Sequence, residues 1–207
     1  MKSEVNDRIA EWPVMEAFYT IQGEGAQAGR PAFFIRTGGC DVGCVWCDVK
    51  ESWDADQHPM TSLDELLDQV EYHQPNFVVL TGGEPAMYDL SVLSEALRDR
   101  SIDVAIETSG CYPLHGTVDW YCFSPKKFKA PVEEAYERAD ELKVVVFNQS
   151  DFEWAEQHAA KVSSTCRLFL QPEWSKEEQN LPSIIEYVKR NPKWSISLQT
   201  HKYMNIP

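Results

Sequence analysis

The sequence predicts an α/β fold in which parallel strands alternate with crossover helices, as a partial barrel or an open sheet. Three observations predict it. Short β-branched and aromatic runs alternate with longer amphipathic stretches along the chain. Nearly every such run passes straight into polar or glycine-rich residues at its C-terminal end, and in parallel α/β folds those ends share the face that carries the site. The length, 207 residues, suits one domain over 1–207 with a core that needs no staple.

The expected strands follow in order at 31–37, 76–81, 103–107, 118–123, 142–147, 167–171 and 194–199. Helices are expected between them, at 62–73, 90–98, 151–162 and 183–189, with a shorter one at 133–139. Ser62 followed by Glu65 is a capping-box signature for the first helix. Residues 48–60 are expected to be an irregular insertion. The strand ends read Thr37-Gly38-Gly39-Cys40, Thr81-Gly82-Gly83-Glu84, Glu107-Thr108-Ser109-Gly110, Ser124-Pro125-Lys126, Gln171-Pro172 and Gln199-Thr200-His201. Six polar strand ends therefore converge on one expected site.

The formal charge of −14 repels phosphate backbones, so general nucleic-acid binding is excluded in favour of a small-molecule substrate. Against that background Arg36 and the group Lys126, Lys127 and Lys129 stand out. No apolar run approaches a membrane span, and residues 1–11 hold no apolar signal region. Six cysteines without an export signal point to a reducing cytoplasm, where thiols bind metals or pack. Cys111, Cys122 and Cys166 lie in or beside apolar runs and read as packing residues.

Cys40, Cys44 and Cys47 form the spacing Cys-x3-Cys-x2-Cys on one short loop. A cubane iron–sulfur cluster has four irons and usually four cysteine ligands. Three thiolates would leave one iron open to bind and reduce something. The alternative is zinc, with Asp48 or His58 as a fourth ligand. Gly82 and Gly83 free backbone groups for close approach to a ligand, though such a pair also serves as a plain turn.

Taken with Gly82-Gly83-Glu84-Pro85, the cysteine triplet resembles the radical S-adenosylmethionine superfamily. The resemblance implies one 4Fe-4S cluster held by Cys40, Cys44 and Cys47, whose open iron chelates the methionine part of S-adenosyl-L-methionine. It also implies cofactor contacts from Trp46, Gly82, Gly83, Glu84, Thr108, Ser109, Ser124, Lys126 and Gln171. Reductive cleavage of the bound cofactor then yields a radical that abstracts a substrate hydrogen, the chemistry being the cofactor's.

A narrower resemblance runs from about residue 16 to 207. Ile21-Gln22-Gly23-Glu24-Gly25, Gly29-Arg30-Pro31, Cys47-Asp48, Glu107-Thr108-Ser109-Gly110, Ser124-Pro125-Lys126, Gln171-Pro172 and Thr200-His201-Lys202 are similar to the 7-carboxy-7-deazaguanine synthase family. That implies a homodimeric lyase with a reduced partial barrel. It would convert 6-carboxy-5,6,7,8-tetrahydropterin to 7-carboxy-7-deazaguanine with release of ammonia, a step toward queuosine. Gln22, Glu24, Arg36, Thr81, Glu107 and His201 match the substrate-contacting motifs. Amide and carboxylate side chains suit the donor and acceptor edges of a pterin, and its carboxylate suits a cation such as Arg36.

Many members of that family carry threonine after Cys-Asp, in a place tied to a magnesium ion, whereas here the run is Cys47-Asp48-Val49. Valine cannot ligate a metal. Either Asp48 and water hold the ion, or Arg36 and a lysine neutralise the substrate carboxylate instead. The Pro207 carboxylate is expected to be a substrate ligand, within reach of the pocket because the six residues after His201 span roughly twenty ångströms at most. A flavodoxin or ferredoxin donor would need a local basic patch, for which Lys126, Lys127 and Lys129 are the candidates. Two rival readings are an activating enzyme that installs a glycyl radical on a protein, and a non-enzymatic metal-binding module.

Overall fold

The computed structural model describes residues 10–207, and most of the polar N-terminal stretch lies outside them. Nine strands form one sheet in the order β3-β1-β2-β4-β5-β6-β7-β8-β9. Strands β2 (Pro31–Thr37), β4 (Phe77–Gly82), β5 (Asp103–Thr108), β6 (Trp120–Phe123), β7 (Glu141–Val146), β8 (Arg167–Pro172) and β9 (Trp194–Ile196) run parallel. The sheet does not close, so the architecture is a partial β/α barrel with β3 and β9 at its edges. Among the described residues no helix is long and apolar enough to cross a membrane.

Two strands were not expected from the sequence. β1 (Glu11–Ile21) pairs antiparallel with β2, and β3 (Met60–Ser62) pairs antiparallel with β1. Pro13, Glu16 and a register shift between Val14 and Glu16 break the alternation of β1, which hides it as a strand. β3 is three residues long and ends the irregular segment, whose two 3₁₀ turns span Lys50–Ser52 and Ala55–Gln57. β9 stops at Ile196, so Ser197, Leu198 and Gln199 reach the site as loop.

The helices are α1 (Leu63–His73), α2 (Ser91–Arg98), α3 (Glu133–Arg138), α4 (Ser150–Ala159), α5 (Glu177–Arg190) and α6 (Thr200–Met204). At the start of α1 the Glu65 amide donates to Ser62 Oγ at 3.3 Å, and the Ser62 amide donates to Glu65 Oε2 at 2.8 Å. These bonds satisfy donors that a helix start leaves orphaned. α5 begins earlier than expected and runs through Pro182, which lies in its second turn.

Strand alternation divides the sheet into two faces. On the helix-covered face Phe33, Ile35, Val78, Leu80, Val104, Ile106, Leu142 and Val144 belong to the main core. On the inner face a smaller apolar layer of Ala32, Phe77, Val79 and Ala105 packs with Phe34 and Trp120. Further along the same face come Thr81, Glu107, Lys143 and Gln171, near the C-terminal ends of their strands. The inner layer is thus dry at the bottom and polar at the mouth.

The segment after β1 crosses this inner face. The Ala26 amide donates to Glu141 on β7 at 3.0 Å, and the Gly25 amide to Ser197 Oγ at 2.9 Å. α6 closes onto the same segment, with the Thr200 amide and hydroxyl both donating to Gly23 O, at 3.0 and 2.9 Å. A side chain at Gly23 would overlap the His201 ring, so close approach requires glycine there.

Candidate active site

A cleft at the C-terminal ends of the strands holds about 1040 Å³ of empty space measured out to its open mouth. Cys40, Cys44, Trp46, Cys47 and Asp48 form one wall, and Thr81, Gly82, Gly83 and Glu84 the next. Glu107, Thr108 and Ser109 follow, then Ser124 and Lys126, then Gln171, with Glu24 and Arg36 completing the lining. Gln22 lies behind this wall, its amide donating to Glu107 Oε1 at 3.2 Å.

The cysteine loop is fixed from several sides. The Cys40 amide donates to Trp53 O at 3.1 Å and the Cys47 amide to Cys44 O at 3.0 Å. Lys129 Nζ and Tyr112 Oη donate to Asp41 Oδ2 at 2.7 and 2.6 Å. Val42, Cys44 and Cys111 form a small buried cluster against which Cys40, Trp46, Cys47 and Tyr112 pack. All six cysteines are free thiols. Burial pushes the Cys40 thiol up and that of Cys44 to about 11, the ordinary response of an apolar surrounding.

The Gly-Gly-Glu segment is stitched to this loop. The Gly83 amide donates to Thr37 O and the Glu84 amide to Gly39 O, both at 2.9 Å. Gly82 has φ of +147°, and a Cβ there would meet the Thr37 amide at 2.6 Å. A Cβ at Gly83 would stand 2.7 Å from that of Cys40. The Glu84 side chain is buried and turned inward. It accepts from the Ala86 amide at 3.1 Å, the Ser109 amide at 2.8 Å and the hydroxyls of Thr108 and Ser109. Its carboxylate therefore fixes two neighbouring strand ends, leaving the glycine backbone to face a ligand.

Three thiols on one loop, beside a strand end stripped of side chains, fit a cubane cluster with a ligand on its open iron. Among the described residues no three His, Cys, Asp or Glu side chains converge as a single-ion site. One thiolate to each of three irons suits the cysteine triplet better than tetrahedral zinc.

On the inner face Lys143 Nζ donates to Glu24 Oε2 at 2.6 Å and to Glu107 Oε2 at 2.7 Å. Gln199 Nε2 donates to Glu24 Oε1 at 2.8 Å. Burial disfavours the charged form of Glu24, but the Lys143 ammonium outweighs it and brings the pKa to about 2. Burial likewise opposes the Lys143 charge, and the surrounding carboxylates hold it well above the usual lysine range. Lys143 is absent from the sequence-based expectations, and Gln199 enters them only within the polar strand end Gln199-Thr200-His201. A lone lysine inside an apolar strand, one step out of phase with Leu142 and Val144, was the available signal.

Other expected residues are engaged elsewhere. Arg36 Nε donates to Glu16 Oε1 at 2.6 Å, so its charge is already paired. Lys126 Nζ donates to Ser124 O at 2.5 Å and to Ser124 Oγ at 2.6 Å, and burial lowers its pKa. Lys127 pairs with Asp151, and Lys129 with Asp41. The three lysines therefore do not form the free basic patch expected for a redox partner. His201 packs on Gly23 outside the cleft wall, and Pro207 O accepts from Thr20 Oγ1 at 3.3 Å. Asp48 pairs with Lys202 at 2.7 Å.

The parallel sheet, cysteine loop and glycine strand end define a radical S-adenosylmethionine protein, and residues 34–148 match the model of the Radical SAM superfamily. A 7-carboxy-7-deazaguanine synthase from Flavobacterium psychrophilum is 57% identical over 94% of this chain and 92% of its own length. One from Synechocystis is 47% identical, over 94% and 93%. A crystal structure of QueE from Escherichia coli matches with a TM-score of 0.81 at 32% identity, covering 91% of this chain and 93% of that one. The chain belongs to the 7-carboxy-7-deazaguanine synthase family.

Proposed function

We propose that this protein converts 6-carboxy-5,6,7,8-tetrahydropterin to 7-carboxy-7-deazaguanine with release of ammonia, in the route to queuosine. The carrying observation is the juxtaposition of two half-sites in one cleft: the cysteine loop with its glycine strand end, and the buried Glu24–Lys143–Glu107 group. Cys40, Cys44 and Cys47 would hold the 4Fe-4S cluster. Gly82, Gly83, Thr108, Ser109, Ser124, Lys126 and Gln171 would line the S-adenosyl-L-methionine site, with Trp46 against the adenine. When bound, these two groups supply an electron and a carbon-centred radical that takes a substrate hydrogen.

The chain's own residues supply position. Lys143 holds the Glu24 and Glu107 carboxylates in place, so each presents fixed acceptor lone pairs to the amine and ring N–H donors of a pterin. Fixing them beforehand removes side-chain entropy from the binding cost. Thr81 and Arg36 face the same space, and His201 stands behind Gly23. Glu84 sets the spacing between two strand ends. A peptide substrate, as in glycyl-radical activation, would not use such a polar, inward-facing floor.

A single domain, a homodimer, a cytoplasmic location and a flavodoxin or ferredoxin donor complete this reading. Val45 and Phe128 are exposed beside the cysteine loop and give a donor somewhere to dock. Magnesium at Asp48 would have to displace Lys202, which already pairs with that carboxylate. The test is anaerobic reconstitution with iron and sulfide, reduction, and incubation with S-adenosyl-L-methionine and the carboxypterin. A deazapurine product by mass, absent with Cys40→Ala, is the expected result. Cofactor cleavage without that product would point to another substrate.

A further inference from the structure

We propose that the Lys202 ammonium occupies the place of a divalent cation at this site and binds the substrate carboxylate directly, an inference that rests on the carboxypterin reading above. Asp48 follows the last cysteine of the loop and faces the cleft. Its neighbour Val49 offers no side-chain oxygen. Asp48 Oδ2 accepts from Lys202 Nζ at 2.7 Å and from Gln199 Nε2 at 3.4 Å. Lys202 Nζ also donates to Gln199 Oε1 at 3.0 Å and stands 4.9 Å from the Trp174 ring centroid. Asp48, Gln199 and Trp174 all line the cleft, so the half-buried ammonium that bonds the first two and faces the third stands at its edge.

Magnesium needs near-octahedral oxygen at about 2.0–2.1 Å and is usually held by one or two carboxylates plus waters. Here the carboxylates in reach are spent on ammonium and amide donors: Asp48 on Lys202, and Glu24 on Lys143 and Gln199. An ion at Asp48 would have to expel Lys202 while gaining a single protein ligand. An ammonium has three N–H donors, and Asp48 and Gln199 account for two of those on Lys202. The third remains for a substrate carboxylate. Asp48 and Gln199 thus aim Lys202, and its position on α6 makes the closing helix part of substrate recognition.

The test measures equilibrium binding of the carboxypterin to the cluster-loaded, cofactor-bound protein, in chelator and in excess magnesium, alongside Mn(II) binding by electron paramagnetic resonance. The unaltered protein should bind equally in both conditions and should hold no Mn(II) with substrate present. Lys202→Met should weaken binding in chelator by about 10- to 100-fold, the worth of one charged hydrogen bond, with cluster content and cofactor affinity unchanged. Lys202→Arg should recover most of that loss, and Lys202→Met with Val49→Thr should acquire both Mn(II) binding and magnesium dependence. Strict magnesium dependence in the unaltered protein would overturn the proposal, even if the methionine variant did not fold. So would undiminished binding by Lys202→Met in chelator. No carboxypterin binding by the unaltered protein under either condition would instead overturn the substrate reading beneath it.

Discussion

Lys143 on β7 holds Glu24, 119 residues earlier in the chain, by a 2.6 Å hydrogen bond at the floor of the cleft. The same ammonium takes Glu107 at 2.7 Å, so one buried cation organises two carboxylates from different parts of the fold. With its side chain 3% exposed, Lys143 has almost no water to fall back on.

Removing it should therefore be costly. Lys143→Met leaves two desolvated carboxylates facing each other, and loss of one partner of a buried pair costs about 3–5 kcal/mol. Denaturant unfolding of the apoprotein should show that loss. The double change Lys143→Met with Glu24→Gln should lose less than the sum of the singles, because the stranded charge is removed. Additive losses would mean that the two groups are not coupled.

The cysteines divide into two sets. Alanine at Cys40, Cys44 or Cys47 should strip the cluster and abolish cofactor cleavage. Alanine at Cys111, Cys122 or Cys166 should leave iron content intact and cost about 1 kcal/mol of packing. Cys111 is the demanding case because it packs in the same small cluster as the loop. Iron loss in Cys111→Ala would overturn the ligand assignment.

Glu84→Gln tests the inward-facing carboxylate. The amide keeps one acceptor but turns an NH₂ group toward donors, including the Ser109 amide that cannot reorient. Hydrogen bonds to a charged group contribute about 1.5–3 kcal/mol, so a loss of about that size is expected by thermal or denaturant unfolding. Cofactor affinity should fall with it, since Thr108 and Ser109 lose their anchor.

Acid should weaken the fold first through His158. Burial lowers its pKa to about 4 beside Tyr136, whose hydroxyl lies 2.9 Å from Nδ1. The unfolded chain takes up this proton from about pH 6.5 downward while the folded chain does not. The stabilisation is complete above that pH and is lost as pH falls toward 4, by up to about 3 kcal/mol. Glu24 acts in a lower window, its contribution being lost only as pH falls from about 4.5 toward 2. Unfolding free energies of His158→Phe measured against pH should lose most of the upper slope, leaving the part due to His201, whose pKa burial also lowers, and should keep the lower one.

Much of the architecture was readable beforehand where the physics is local. The Ser62–Glu65 capping box needs four residues, and the run 31–37 shows its strand character without help from its neighbours. The cysteine triplet and glycine strand ends are equally local, and the cleft brings them together. β1 escaped because its bulge and Pro13 break the period that would reveal it. Lys143 escaped because a lysine in a strand usually means a solvent-facing edge, and only the partners folded against it show otherwise. The Lys202–Asp48 pair joins residues 154 apart and leaves no trace in either stretch read alone.

The docking of α6 on Gly23 has a consequence for assembly order. Thr200 and Gly23 are 177 residues apart, so this contact closes one of the longest loops in the chain and forms late on grounds of entropy. Before it forms, the cysteine loop, β4 and β5 have all their local partners, while Asp48 lacks Lys202 and Glu24 lacks Gln199. Until α6 docks, that side of the cleft is held by neither contact, so the site reaches its final polarity only when the two distant segments meet.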